Sequence, residues 1–310
     1  MTRENETIVS EFILVGLSDH PRAQAALFWL LLLVYSLTLL GNGLMVVVII
    51  VDSHLHTPMY FFLSNLSVID IFYTSSSVPK VLNNCLTYRA TISVLSCLTQ
   101  MYTGLFLGIT ECFLLAVMAY DRFAAVCHPL HYTLIMSHRL CISLVASSWI
   151  GAFLLIVIRI VFMPIHFCGP NIINHFSCET QAVYKLGCSN VRINAIYTIA
   201  SGIPVLVMPF TFIMVTYIRI GMAVLKIRSG QGRSKAFSTC GSHLIVVSIF
   251  YGSAMSMYLR PQSKSSSDRD KLISLFYGVV TPMLNPLIYS LRNKDVKGAI
   301  YRVIGKKPSE

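Results

Sequence analysis

The amino-acid sequence predicts an all-α membrane protein: a seven-transmembrane helix bundle followed by a short amphipathic C-terminal helix. Three observations carry that expectation. Of the 310 residues, 55% fall in the hydrophobic set and only 12% are charged, about half the charged share of an ordinary soluble domain. Seven apolar segments follow one another, each long enough to cross about 30 Å of hydrocarbon at about 1.5 Å per residue. Period-two alternation is absent, which removes a membrane β-barrel.

The segments are placed at 25–51, 58–80, 95–126, 140–163, 195–225, 237–260 and 271–291. They divide the chain into an extracellular N-terminal tail (1–24), the bundle (25–291) and a cytoplasmic tail (292–310). Glu4, Glu6, Glu11 and Asp19 interrupt any apolar run in the first tail, so no cleavable signal is expected and the first span serves as its own insertion signal. The net charge of +11 concentrates between Arg219 and Lys235 and again from Arg292 to Lys307. Short basic stretches beside spans are the mark of cytoplasmic edges facing anionic membrane lipid, not of a nucleic-acid surface. They set the N-terminus outside, where Asn5-Glu6-Thr7 forms a glycosylation sequon. After Arg292, Val296, Ala299, Ile300 and Val303 share one face, which suits a short helix lying on the inner membrane surface.

Nine cysteines divide by compartment. Cys112, Cys127, Cys141 and Cys240 fall in spans or at inner edges, where disulfides do not persist. Cys97 opens the third span, and Cys168, Cys178 and Cys188 lie in the loop 164–194, which shows no strong regular pattern. Four outer cysteines permit three pairings, and Cys85 is a possible fifth. Cys97–Cys178 with Cys168–Cys188 is the preferred arrangement; free thiols are the alternative.

Polar groups within a span are costly and mark function by default. Asp70 and Glu111 are mid-span, with Asn42, Asn285 and Ser67 at comparable depth. These hard oxygens suit a partly dehydrated Na⁺; protonated acids that bond between helices are the alternative. In the third span Gly104, Gly108, Glu111, Leu115, Met118 and Arg122 form one stripe. Its glycines serve either close helix packing or space for a ligand. Pro204, Pro209, Pro282 and Pro286 should kink the fifth and seventh spans.

Four stretches then carry a resemblance: Leu55-His56-Thr57-Pro58-Met59-Tyr60, Met118-Ala119-Tyr120-Asp121-Arg122-Phe123, Lys235-Ala236-Phe237-Ser238-Thr239-Cys240, and Pro282-Met283-Leu284-Asn285-Pro286-Leu287-Ile288-Tyr289. In this order they strongly resemble olfactory receptors, which are rhodopsin-like G-protein-coupled receptors, from about Glu11 to Arg302. The resemblance implies a receptor for small odorants that activates a heterotrimeric stimulatory G protein and raises cyclic AMP. It implies that Asp121 and Arg122 form the inner switch, with Tyr217, Asn285, Pro286 and Tyr289 as its partners. It further implies that Cys97–Cys178 is the outer disulfide and that Asp70 and Glu111 form the sodium site. Phe123 stands where the family more often has Tyr, which removes a hydroxyl.

The ligand site is expected in the outer half, lined by Met101, Gly104, Leu105, Gly108 and Ile109 of the third span and Ser201 and Val205 of the fifth. Tyr251, Ala254, Met255 and Tyr258 of the sixth, Leu275 of the seventh and Gln181 of the loop complete it. This mostly apolar wall suits a neutral, volatile ligand. Gly104 aligns with the acid by which amine receptors hold an ammonium group, so a cationic amine has no obvious counter-ion. Arg159, near the outer end of the fourth span, would favour an acid if it faced inward. An enzyme is not expected, since no catalytic set, metal-spaced cluster or phosphate loop is present. A channel or transporter would need polar stripes or matched broken helices. A non-olfactory chemosensory role within the same family is the closer alternative.

Overall fold

In the computed structural model the structure describes residues 9–18, 20–87, 89–167, 171–188, 200–226, 230–259, 267–292 and 294–303. Seven long helices and one short one account for most of them: α1 (Pro21–Val51), α2 (Pro58–Leu86), α3 (Val94–Cys127), α4 (His138–Phe162), α5 (Ala200–Leu225), α6 (Gly230–Tyr258), α7 (Asp268–Ser290) and α8 (Lys294–Val303). The shortest of the seven, α7 with 23 residues, reaches about 34 Å at about 1.5 Å per residue. That suffices for roughly 30 Å of hydrocarbon.

Local sequence explains the helix starts. Pro21 and Pro58 occupy first helical positions, where a missing N–H costs nothing. Ser93 and Ser137 cap α3 and α4, their hydroxyls accepting from the Ser96 and Leu140 amides at 3.2 and 3.4 Å. Six helices are apolar enough to span by composition alone. The exception is α2, which matches them in length but carries Asn65, Ser67, Asp70, Thr74, Ser75, Ser76, Ser77 and Lys80. It packs against α1, α3 and α7, so Ser67, Asp70 and Thr74 are buried among protein neighbours. Large apolar side chains elsewhere point outward, among them Trp29 at 67% and Phe162 at 72% exposure. A belt of this kind fits a lipid solvent rather than water. The chain is a multi-pass membrane protein.

Two breaks interrupt the regular helices. Ile203–Val207 in α5 and Phe276–Val280 in α7 are wide π turns, closed by the Met208 amide on the Ile203 carbonyl and the Thr281 amide on the Phe276 carbonyl. Each ends one residue before a proline, Pro209 or Pro282. The prolines expected to kink these spans thus coincide with a change of helical register.

One end of the bundle differs from expectation. The tail was expected to be unstructured, yet β1 (Glu11–Leu14) is the central strand of a three-stranded sheet. It runs antiparallel to β2 (Thr91–Ser93), with Phe12 opposite Ile92, and parallel to β3 (Ile172–Ile173), with Leu14 opposite Ile173. The long loop is likewise ordered locally, by β3, a Phe167–Gly187 bridge and a short helix, Thr180–Tyr184. Phe12, Leu14, Ile92, Ile173 and Val183 are buried together around Cys97 and Cys178, a second small core separate from that of the bundle. The physical reason is alternation over only a few residues: Phe12 and Leu14 face inward while Glu11 is exposed, a pattern too short to stand out against polar neighbours.

Candidate functional site

Two cavities open beneath the sheet. The larger, ≈ 340 Å³, lies at the lower end of the range for small-molecule sites. Gly104, Leu105, Gly108 and Ile109 of α3, Ser201 and Val205 of α5, and Ala254 and Tyr258 of α6 line it, as expected from the sequence. The fourth span supplies a wall that was not expected: Leu155, Ile156, Ile158 and Arg159. Tyr277 of α7 also lines it. The smaller cavity, ≈ 60 Å³, shares Gly104, Leu105, Tyr258 and Tyr277 with the larger and adds Met101, Gln100, Glu179 and Ser274.

The remaining expected lining residues lie elsewhere. Tyr251 is fully buried below the larger cavity, its hydroxyl donating to the Cys112 carbonyl at 2.9 Å. Met255 packs against the main core. Leu275 packs with Leu31, Val78, Phe176 and Val279, because it precedes the π turn while Tyr277, within it, faces the cavity. Gln181 donates its amide to the Met257 carbonyl.

The two glycines on α3 play different roles. A Cβ on Gly104 would meet nothing within 4 Å, so this position opens onto space. A Cβ on Gly108 would come within 2.8 Å of the Tyr277 hydroxyl, so this glycine admits a close approach of α7.

The loop is fastened over the cavities at several points. Cys97 and Cys178 form a disulfide with Cα atoms 5.4 Å apart. Gln100, missed by the sequence reading, accepts from the Cys178 amide at 2.8 Å and donates to the Ser76 carbonyl at 2.9 Å. Cys188 is disulfide-bonded; Cys168, its expected partner, lies outside the described residues, as does Asn5. Cys85 is a free thiol. Glu179 caps the short helix, accepting from the Gln181 and Ala182 amides at 2.7 and 3.2 Å. Burial pushes its carboxyl up to about 7 against the pull of those two amides. His175, 3% exposed, is pushed down to about 4 by burial.

Toward α8 the interior turns polar. Pro286 has no N–H to give the Pro282 carbonyl, and the Asn42 side chain takes that carbonyl at 3.0 Å. Gly41 permits the approach: a Cβ there would lie 3.1 Å from Pro286. Asn285 donates to both carboxylate oxygens of Asp70, at 3.2 and 3.0 Å. Glu111 is buried beside this pair, and its Oε1 has no hydrogen-bond partner among the described residues. Two acceptor-only carboxylates facing one amide form a donor-poor set that a small hard cation would complete.

At the α8 end, Tyr132 donates to Asp121 at 2.7 Å. No contact between Asp121 and Arg122 falls within ion-pair distance among the described residues. The buried Arg122 Nη2 lacks a hydrogen bond, and the electrostatic neighbours of the guanidinium are Tyr217, Cys240, His243 and Tyr289. Tyr217 and His243 bond at 2.7 Å and stack. His243 and Tyr132 were not singled out from the sequence, since neither spacing nor charge distinguishes them. Phe123 packs on Tyr120 and His128. Arg302 of α8 binds Asp52 through Nε and Nη2, at 2.8 and 2.6 Å, although its place on the helix suggested solvent. Burial raises the Asp52 carboxyl, but bonds from Arg302 and His54 outweigh it and hold the group at about 2.

Comparison with known proteins agrees with this arrangement. A family model described as "Olfactory receptor" matches residues 31–307. The chain is 50% identical over 307 residues to human "Olfactory receptor 13H1", covering 99% of this chain and 100% of the relative. It is 48% identical to human "Olfactory receptor 2A12" over 98% of this chain and 99% of that one. It is also 48% identical to mouse "Olfactory receptor 1E16" over 99% and 98%. With a seven-helix bundle, a stapled loop over a cavity and a match of this extent, the chain belongs to the olfactory receptor family of G-protein-coupled receptors.

Proposed function

We propose that the chain is an odorant receptor for a small, mostly apolar volatile molecule. The ligand occupies the ≈ 340 Å³ cavity, and the receptor raises cyclic AMP through a heterotrimeric stimulatory G protein. The N-terminus and sheet face the outside, and α8 lies along the cytoplasmic leaflet. The observation that carries this reading is the direct path between the two ends. Tyr251 stands beneath the cavity, bonded to α3 and packed on Phe250 and Phe210. From there α3 and α6 run to Arg122 and to His243, which is bonded to Tyr217 of α5.

Ligand binding shifts a two-state equilibrium only by its differential affinity for the two states. Contacts that straddle α3, α5 and α6 can differ between states, because those helices move relative to one another when α6 swings outward. Asp70 and Glu111 hold a Na⁺ in the inactive state, and Glu111 Oε1 supplies the open ligand position. A broad odorant screen with a cyclic AMP readout tests the function. Surface-expressed receptor that stays silent to every volatile class would overturn it. Replacing external Na⁺ by an organic cation should raise basal signalling; unchanged basal signalling removes the sodium assignment.

A further inference from the structure

The wall of the larger cavity is apolar except at one side. Among the described residues that line it, Arg159 is the only charged one. Its Nε donates to the Tyr184 hydroxyl at 3.0 Å, and the guanidinium carbon stands 4.9 Å over the Tyr184 ring. Tyr184 closes the short helix Thr180–Tyr184, which Glu179 caps in turn. The arginine is therefore held in one orientation by a residue of the stapled loop. It does not sweep freely through the headgroup region, as a snorkelling side chain would. Ser201 and Gly202 of α5 line the same cavity, and no carboxylate does so among the described residues.

We infer that this cavity selects molecules with an apolar body and a terminal carboxylate, and that Arg159 binds the carboxylate while Tyr184 positions Arg159. The inference rests on the proposal that this cavity is the odorant site, and it names the ligand class. The condition under which the sequence favours an acid, an arginine facing inward, is the one the geometry meets. A planar guanidinium fixed at one N–H still presents other donors, and two parallel donors match the two oxygens of a carboxylate. An alcohol or aldehyde of the same chain length fills the apolar part equally well but accepts only one such bond. An amine brings its positive charge up to Arg159 and is repelled. Straight-chain acids are ionised at neutral pH, since carboxyl groups titrate near about 4.

The test uses the full-length receptor in cultured cells, with surface labelling and a cyclic AMP readout, against chain-matched hexanoic and octanoic acids, aldehydes, alcohols, esters and amines. In the wild type, an acid should act at roughly tenfold lower concentration than its matched alcohol. Arg159→Met should bring that ratio to about one by weakening the acid while sparing the alcohol. Arg159→Lys should restore part of the preference, because it returns the charge without the planar fork. Tyr184→Phe keeps the ring but removes the hydroxyl, and should narrow the acid-to-alcohol ratio without equal loss for both. A wild-type receptor that answers alcohols or aldehydes as well as acids overturns the inference and leaves the odorant reading standing. Arg159→Met lowering all classes alike makes the arginine a structural clamp, which also overturns it. Silence of the surface-expressed wild type to the whole panel counts against both the inference and the cavity as the odorant site.

Discussion

The two ends of the bundle are built on opposite principles. Beneath the sheet the helices surround empty, mostly apolar space, and a glycine such as Gly104 opens onto it. Toward α8 they surround polar side chains that bond one another across helices: Asn42 to Pro282, Asn285 to Asp70, Tyr132 to Asp121 and Tyr217 to His243. Apolar space tolerates substitution as long as volume is respected. A buried polar network does not, because removing one member strands its partner. The difference suggests a division of labour, in which the cavity can change its ligand while the polar half keeps one switching device.

Substitutions at the two ends should therefore differ in kind. The largest effect is expected for Arg122→Ala, which should abolish cyclic AMP signalling while surface labelling stays near wild type. Full signalling from this variant would remove Arg122 from the switch. Next comes loss of the loop staple. Cys97 and Cys178 close a loop spanning 81 residues, and such a crosslink stabilises by on the order of 4 kcal/mol. Cys97→Ser should strongly reduce surface expression, read by flow cytometry.

A smaller effect is expected in the polar half, where Asn42→Leu leaves the Pro282 carbonyl without its donor. That should cost about 1–3 kcal/mol, seen as a lower Tm of purified receptor in detergent. Gly104→Ala at the other end should change stability by less than about 0.5 kcal/mol yet alter odorant potency, since the added methyl enters open space. Equal Tm losses for the two variants would erase the distinction between the ends.

The smallest effect concerns acidity at the loop. Glu179 has its carboxyl raised from 4.5 to about 7, so its contribution is fully present below about 4.5 and fades as pH rises through about 7. His175 is depressed from 6.5 to about 4, so its contribution is present above about 6.5 and fades as pH falls through about 4. Lys185 and Lys271 oppose protonation of His175, while Lys185 and Asp270 act on Glu179 in opposite directions. The two groups offset each other between those limits. Glu179→Gln leaves His175 alone, so hydrogen exchange around residues 171–187 should speed up on acidification in the variant but stay level in the wild type.

The bundle itself was legible because lipid demands long uninterrupted apolar runs, and these survive any detail of packing. Much of the cavity wall on α3 was legible for a similar reason: α3 keeps a regular period, so angle can be read from spacing. The period fails in α7. The π turn at Phe276–Val280 shifts the helix by one residue, about 100°, so a face read straight through it selects Leu275 where the fold presents Tyr277. The α4 wall was missed because that helix is apolar on most sides, and its inward face has no signature beyond Arg159. Pairings such as Tyr132 with Asp121 depend on where a loop returns, which local spacing does not encode.

The central position of Glu11–Leu14 in the sheet has a practical consequence for handling the protein. An epitope or trafficking tag fused ahead of this segment must leave its backbone edges clear on both flanks, since one flank is occupied by Thr91–Ser93 and the other by Ile172–Ile173. Shortening the chain beyond Leu14 would remove the plank on which both neighbours rest and lay bare the greasy underside of the lid.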